Sequence, residues 1–583
     1  MGTPELPVPD GLVLRPFRGV RFAVADPAKV TSPPYDLIGT GDVHALLDVH
    51  PNNVVRLILP GLTTGSSGAV GSGHHAGRPT GTDNSERATG TDGWDTLADG
   101  GVSGPTASAD GADSSGDVAD ADSSGHTTSA DGGSGQVLGV GGSGSEGGDE
   151  AGQGGAKYRE ARETLLDWLR TGVLVADDAP ALYVYEQAGS GVLQRGLIGD
   201  VGLAAPQQGI ILPHEDVMPG PVADRLALMS TTRANLEPIF LLYGGSDRGR
   251  HGVSSVGDEI GSGDGQESRQ GSASRFVDDV ALTRSPLVQA DTDDGLRHRL
   301  WAVTDRAEID AVNADLQHRQ ALIADGHHRY ATYRELQHQE HARHTEDAPG
   351  SGGTPEAATE RTGPTGAGGA AEGVGATEAT TATTDSSRKQ DPGGVGPWDF
   401  GLALLVDTDA YPPDLKAIHR VIPGLPLEEA AARAKGSWQV RDFATLEQGL
   451  DALEETAEPA FLLAGAGACH LMSEPDPVQL SHGMPQEHSA QWNAINVAVL
   501  TEFVMPRVWS MRDDERSVRI VHHDARAATE LAAATGGTAV ILKPLAVEDV
   551  VAVAAGGERV PRKSTSFGPK PRTGLVLRTF DIE

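Results

Sequence analysis

The chain has 583 residues, with 46 Lys and Arg against 82 Asp and Glu, a net charge of −36. That balance counts against a protein that coats nucleic acid or anionic membrane by bulk charge. A single cysteine, Cys469, excludes an internal disulfide framework, and no stretch approaches the ~18 apolar residues a membrane span needs or resembles a secretory leader, so a soluble cytoplasmic protein is expected.

In chain order, a first folded part covers residues 12–60 and includes two turn-forming segments, Arg15–Gly19 (RPFRG) and Ser32–Asp36 (SPPYD), the second carrying Tyr35 and Asp36 as candidate site residues. Composition then shifts. Residues 61–155 hold 27 Gly, with 14 acids against 2 bases, so a third of the net negative charge lies where little can enter a core. Residues 244–274 and 341–397 have the same Gly/Ser/Asp-rich character. Such stretches cannot bury enough apolar surface to offset chain entropy, and all three are expected to be disordered insertions.

Between them the pattern is orderly. Tyr158, Ala161, Leu165, Trp168 and Leu169 share one helical face and Gly172 stops the helix. Strands are expected at 182–185, 196–198 and 209–212, a helix at 222–236, then strands at 238–243 and 299–303. A helix at 306–316, a buried strand at 321–324 and a helix starting near His327 complete a first part, 12–60 plus 156–340. A second part, 398–583, reads as strands at 402–406, 460–463, 518–521 and 538–542 with helices at 491–504, 526–534 and 547–554. Short strands alternating with ten-residue helices predict an α/β or α+β body, a mixed sheet with packed helices.

The sharpest local signal is Ala324–Tyr330 (ADGHHRY). A buried strand runs into Asp325 and Gly326, and a helix follows at once. Gly326 permits the tight turn, and the first N–H groups of the helix point outward, a ready anion site to which Arg329 adds a forked donor. Asp325 is placed to cap the helix or to hold a tautomer of His327 or His328. A second signal is Leu212–Asp216 (LPHED): a strand end delivers His214 and Glu215, groups suited to general-base or metal work, and Arg225 and Arg233 on the next helix can neutralise a phosphate. The third is Arg559–Arg578, with six bases and no acid. There Lys563, Ser564, Thr565 and Lys570 offer cations and hydroxyls to phosphate oxygens, and a closing apolar Leu575–Leu577 predicts that the segment packs back. It is not a Walker loop, because the Gly spacing before Gly-Lys-Ser is missing. His522, His523 and Asp524 with His327 and His328 form a metal set only if the fold makes them converge. Cys469 reads as a buried, inert thiol.

Taken in order, Leu14–Gly19 (LRPFRG), Pro33–Asp36 (PPYD), Asn53–Leu57 (NVVRL), Tyr183–Glu186 (YVYE), Leu212–Glu215 (LPHE), Ala324–Arg329 (ADGHHR), and Lys563–Thr565 (KST) with the Gly574–Val576 (GLV) ending resemble the bacterial domain-of-unknown-function 1015 family from about residue 12 to 580, interrupted only by the insertions. The resemblance implies a distant similarity to the partition-protein-B/sulfiredoxin-like superfamily through the Asp-Gly-His-His-Arg box, whose members bind nucleotide phosphates there and one branch of which phosphorylates free serine. His522–Asp524 and Phe567–Gly568 depart from the usual family pattern, which leaves His522 without an inherited role.

Three functions follow as expectations. The leading one is a nucleotide-dependent phosphotransferase using ATP or ADP with Mg²⁺ on a small hydroxyl compound such as serine. There Asp325, Gly326, His327, His328, Arg329, Lys563, Ser564, Thr565 and Lys570 bind phosphate, and His214, Glu215, Arg225 and Arg233 serve the chemistry. The alternatives are a nucleotide-gated regulator of partition type, against which the absence of a basic helix-turn-helix counts, and a metal-dependent hydrolase built on the His pairs. A small-molecule substrate is the expected partner, with no membrane, and nucleic acid is disfavoured by charge. Sequence leaves the oligomeric state and the metal set open.

Overall fold

The computed structural model describes residues 6–63, 150–244, 271–346, 395–514 and 516–582. These belong to one compact unit formed by Met1–Ser66 and Asp149–Glu583; the second unit, Ser67–Gly148, lies outside the described residues, as do the central parts of the other two expected insertions.

The fold is mixed α/β. A nine-stranded mixed sheet contains β1 (Leu14–Arg15), β2 (Leu182–Gly189), β3 (Val192–Gly202), β4 (Ile211–Leu212), β5 (Ile239–Tyr243), β6 (Val288–Asp291), β7 (Arg297–Val303), β8 (Ala321–Asp325) and β9 (Phe400–Asp407). Their order is β4-β8-β5-β9-β3-β2-β7-β6, with β1 added on β3. The β4–β8 and β5–β9 pairs are parallel and the others antiparallel. Its central strands are apolar on both faces: Leu402, Leu404 and Val406 of β9 enter one core layer and Ala403 and Leu405 the opposite one. That period-two split with both sides filled is how a sheet covered on both faces reads.

A second, six-stranded antiparallel sheet is built from β10 (Ile418–Ile422), β11 (Gln439–Phe443), β12 (Phe461–Gly465), β13 (Ala468–Ser473), β14 (Arg519–His522) and β15 (Thr538–Ile541), in the order β11-β13-β12-β15-β10-β14. Phe461 and Leu463 of β12 join the same apolar cluster as Leu402 and Leu404, whereas Leu462 and Ala464 face a separate outer cluster with Cys469. One continuous core therefore lies between the two sheets.

The helices that matter for the site are α1 (Glu150–Thr171), α2 (Pro219–Thr232), α3 (Ser272–Thr283), α4 (Arg306–Leu316) and α5 (His327–Glu346). On α1, Tyr158, Ala161, Leu165 and Trp168 are buried as the periodicity predicts, and Gly172 follows at φ +77°. Several expected boundaries move. The second insertion ends sooner than 274, since Gly271 already precedes α3, whose Ala273, Val277 and Val280 are buried. The third begins later than 341, because α5 continues to Glu346, held by the buried His341, which contacts Asp399 at 2.7 Å. The helix expected over 222–236 starts at Pro219 and stops at Thr232, where Arg233 turns left-handed at φ +51°. That expected over 491–504 breaks at Ile495, resumes at Asn496 and from Val499 widens into a wide-turn helix to Val508, which contains Pro506; a proline inside a helix deprives the ladder of a donor and forces such a deformation.

The C-terminal segment packs back on the first part. Leu577 bridges to Val20, Thr573 to Ser32, and Arg578–Thr579 pairs with Ala234–Asn235. Arg578, 1% exposed, meets the fully buried Asp200 at 2.7 Å and donates to Asn235 Oδ1 and the Pro397 carbonyl.

Candidate phosphate site

The site forms where the ends of β4 and β8 point the same way. Parallel pairing of Ala321–Leu322 with Ile211–Leu212 delivers His214 and Glu215 from one strand and Asp325 and Gly326 from its neighbour. Gly326 sits at φ +95°, and a Cβ there would lie 3.0 Å from Ile239 Cγ2, so the turn that launches α5 requires glycine. Tyr330 N–H reaches the Gly326 carbonyl at 2.8 Å, which leaves the N–H groups of His327, His328 and Arg329 at the open end of a twenty-residue helix.

The C-terminal segment closes the other side. Arg559 donates to the Pro213 carbonyl at 2.5 Å and Val560 N–H to the His214 carbonyl at 2.9 Å. This seats Thr565 between two side chains: its hydroxyl donates to Glu215 Oε1 at 2.8 Å and lies 2.9 Å from His214 Nε2. His214 N–H donates to His327 Nε2 at 3.3 Å, so the His327 ring proton belongs on Nδ1, 4.0 Å from Glu215 Oε2. The two rings meet edge to face at 4.5 Å. Burial, reinforced by neighbouring positive groups, holds both rings neutral: His214 well below the ordinary histidine value, His327 at about 3. Burial pushes the Glu215 carboxyl up, against the Thr565 hydrogen bond and the Lys563 charge.

Lys570 binds Asp36 and Asp325 together, its ammonium 2.5 Å from one carboxylate and 2.6 Å from the other. Lys563, at φ +54°, is exposed, and its charge acts on Glu215, His328 and His522. Met218 N–H donates to His328 Nε2 at 3.1 Å.

Two expectations about these residues take a different form. Asp325 neither caps α5 nor holds a histidine; it pairs with Arg329 and Lys570. Arg329, 4% exposed, turns inward: it pairs with Asp325, donates to the Pro238 carbonyl at 2.6 Å, and keeps its Nε buried without a partner against the Gly326 turn. Arg225 is likewise drawn in, donating to the Ile58 carbonyl at 2.7 Å and to Asp224. Between these arginines lies Tyr35, 4.7 Å below the Arg225 guanidinium and 5.9 Å from that of Arg329, with its N–H on the buried Glu237 at 3.0 Å. A cavity of about 30 Å³, lined by Arg225, Glu237, Arg329 and Tyr333 among others, adjoins the pair; that is room for one water. Arg233 joins none of these groups and instead pairs with Asp581 at 3.1 Å. Ser564 donates to the Pro561 carbonyl.

Nothing local marks Glu237, and Arg559 enters the sequence only as the first base of the Arg559–Arg578 run; each gains its role from a partner, 202 and 346 residues away respectively. His523 lies 3.3 Å from Ser566, but among the described residues no three His, Cys, Asp or Glu side chains gather as a metal-binding group. No helix among them is long and apolar enough to cross a membrane.

A family model described as "Protein of unknown function (DUF1015)" matches residues 14–71, 142–260 and 266–356, a span that includes the Leu212–Glu215 and Ala324–Arg329 segments. No curated protein matches the chain. Among solved structures, a mutant of free serine kinase in complex with AMP is 11% identical, covering 67% of this chain and 94% of that one at a TM-score of 0.28. A conserved hypothetical protein from Pyrococcus furiosus is 10% identical over 67% and 97% at 0.27. SbnI with C-terminal truncation from Staphylococcus aureus is 8% identical over 65% and 85% at 0.27. Values this low carry no conclusion from those proteins to this one.

Proposed function

We propose that this chain, a match to the DUF1015 family, is a nucleotide-dependent phosphotransferase acting on a small hydroxyl compound, with free serine as the first acceptor to test. One observation carries the reading: the open N-terminus of α5 lies beside Glu215, a carboxylate hydrogen-bonded to the Thr565 hydroxyl, and the charge of the exposed Lys563 acts on both Glu215 and His328. Backbone N–H groups and the helix dipole favour a phosphate there, the Lys563 ammonium adds a point charge, and a carboxylate with a raised pKa is suited to accept a proton near neutral pH.

In this reading the buried Arg329 and Lys570 do not clamp phosphate directly. They neutralise Asp325 and Asp36, removing negative charge that would repel the nucleotide, and fix the Asp325-Gly326 turn. His214 and His327, held neutral, orient Thr565 and Glu215 without adding charge. Mg²⁺ is usually held by one or two carboxylates plus substrate phosphates. Asp36 fits that role, with 36% of its side chain exposed and one carboxylate oxygen on Lys570; the ion would neutralise phosphate charge when bound.

The test is a thermal-shift panel of ATP and ADP with Mg²⁺, with and without serine. A ligand at ~100 times its dissociation constant stabilises the fold by about 2.7 kcal/mol, a shift that is easily measured. Stabilisation that grows with serine supports the reading, and no shift with any nucleotide refutes it.

A further inference from the structure

The two groups best placed to deprotonate an acceptor hydroxyl are already engaged with a hydroxyl of the protein itself. Thr565 Oγ1 donates its proton to Glu215 Oε1 at 2.8 Å. His214 Nε2 lies 2.9 Å from the same hydroxyl oxygen, and the ring also faces the Ile323 backbone. The hydroxyl thus has a carboxylate base on its proton and a buried imidazole fixing its position, which favours developing alkoxide character and leaves an oxygen lone pair to attack. His214 is fully buried and Thr565 is half-buried, so the base and the imidazole are fixed while the hydroxyl stays reachable.

The surroundings select the electrophile. His327, whose Nδ1 lies 4.0 Å from the second Glu215 oxygen, is the first residue of α5, so the hydroxyl sits beside the helix end that favours anions. Lys563, two residues before Thr565, is exposed, and its charge acts on the same Glu215. A phosphoryl group is the electrophile that these donors fit.

We propose that Thr565 is itself a phosphoryl acceptor, modified by the terminal phosphate of a bound nucleoside di- or triphosphate. The proposal rests on the phosphotransferase reading and extends it by naming the first acceptor. In the step, the Thr565 Oγ1 lone pair attacks the terminal phosphorus, an Oγ1–P bond forms, and the bridging P–O bond of the anhydride breaks. The Oγ1 proton passes to Glu215 Oε1, and the nucleotide leaves shortened by one phosphate. The phosphothreonine would face Lys563 and the first N–H groups of α5, from which a second hydroxyl compound could take the phosphoryl group.

The experiment uses the full chain with ATP labelled at the γ-phosphate and, separately, ADP labelled at the β-phosphate, each with Mg²⁺. Nucleotide binding to the wild type is measured in parallel by calorimetry, and label is mapped by peptide mass spectrometry. Label on Thr565 from either nucleotide supports the proposal and identifies the donor. Thr565→Ser should retain label as phosphoserine, Thr565→Ala should lose it, and Glu215→Gln should slow labelling at least tenfold. Bound nucleotide with no label, or label only at other residues, overturns this inference while leaving the phosphotransferase reading standing. No nucleotide binding at all overturns both.

Discussion

Replacing Lys570 with methionine keeps the aliphatic stem but removes the charge between Asp36 and Asp325. Breaking a fully buried ion pair by deleting one partner costs 3–5 kcal/mol, because a desolvated charge is left unpaired. Here the loss is smaller, for two structural reasons. Asp325, with 12% of its side chain exposed, keeps its pairing with Arg329, and Asp36, at 36%, regains water. About 2 kcal/mol is therefore expected, read from urea unfolding at pH 7 as a change in midpoint at constant slope.

The pH dependence carries a signature. Burial pushes the Asp325 carboxyl up, but Arg329 and Lys570 outweigh it and hold the group below the ordinary value of 3.8. A group depressed in the folded state contributes stability that is present above its unfolded value and lost as pH falls through its folded one. Without Lys570 the Asp325 carboxyl is depressed less, so K570M should lose less stability than the wild type on acidification, and its deficit, full at pH 7, should narrow as pH falls below the ordinary carboxylate value. A cost below about 0.5 kcal/mol, the value of an exposed pair, with an unchanged acid limb, would refute the claim that Lys570 clamps the turn.

Three further outcomes follow from the same geometry. Glu215→Gln should lower phosphoryl transfer about 10²- to 10⁴-fold and abolish the acid limb of the rate profile, which in the wild type should lie above the ordinary glutamate value of 4.5 because burial raises that carboxyl; a variant that keeps the limb assigns it to another group. Gly326→Ala should cost about 1–2 kcal/mol from the left-handed conformation and weaken nucleotide binding, since its Cβ meets Ile239; calorimetry on the folded variant checks both. Arg578→Met should destabilise by about 2 kcal/mol, less than the 3–5 kcal/mol of a buried charge left alone, because the fully buried Asp200 keeps Arg15 at 3.3 Å; a loss under about 0.5 kcal/mol would refute a stabilising role for the Arg578 pair.

How far the sequence speaks for the fold varies by element. The helix at 306–316 is legible to the residue, because Ile309, Val312 and Leu316 recur at helical spacing behind the cap at Asp305. Strand β10 escapes notice, because its centre is His419 and Arg420, both buried in the fold by contacts with residues over 100 positions away. Strand β11, largely exposed at a sheet edge, lacks the apolar alternation that would mark it. The start of α3 hides in Gly271–Ser274, whose small polar residues read as loop until Ala273 and Val277 are seen to be buried. At the site, the Asp-Gly turn and the His214-Glu215 strand end were legible because each is local chemistry at a strand terminus. Their assembly was not: the inward turn of Arg329 depends on the Pro238 carbonyl, and Lys570 reaches Asp36 across 534 residues.

That last span has a consequence for biosynthesis. A chain emerging vectorially has the Asp325-Gly326 turn and the His214-Glu215 strand end in hand long before Thr565 and Lys570 are translated. Until then, Asp36 and Asp325 face each other without the ammonium that joins them, and Glu215 has no hydroxyl to hold. Domains usually fold as they emerge, but here the constellation is finished only by the last few dozen residues, after closure of one of the longest loops in the chain. A nascent chain, or one clipped upstream of Arg559, would keep most of its core and lack the finished site, so assembly of the constellation waits on translation past Lys570.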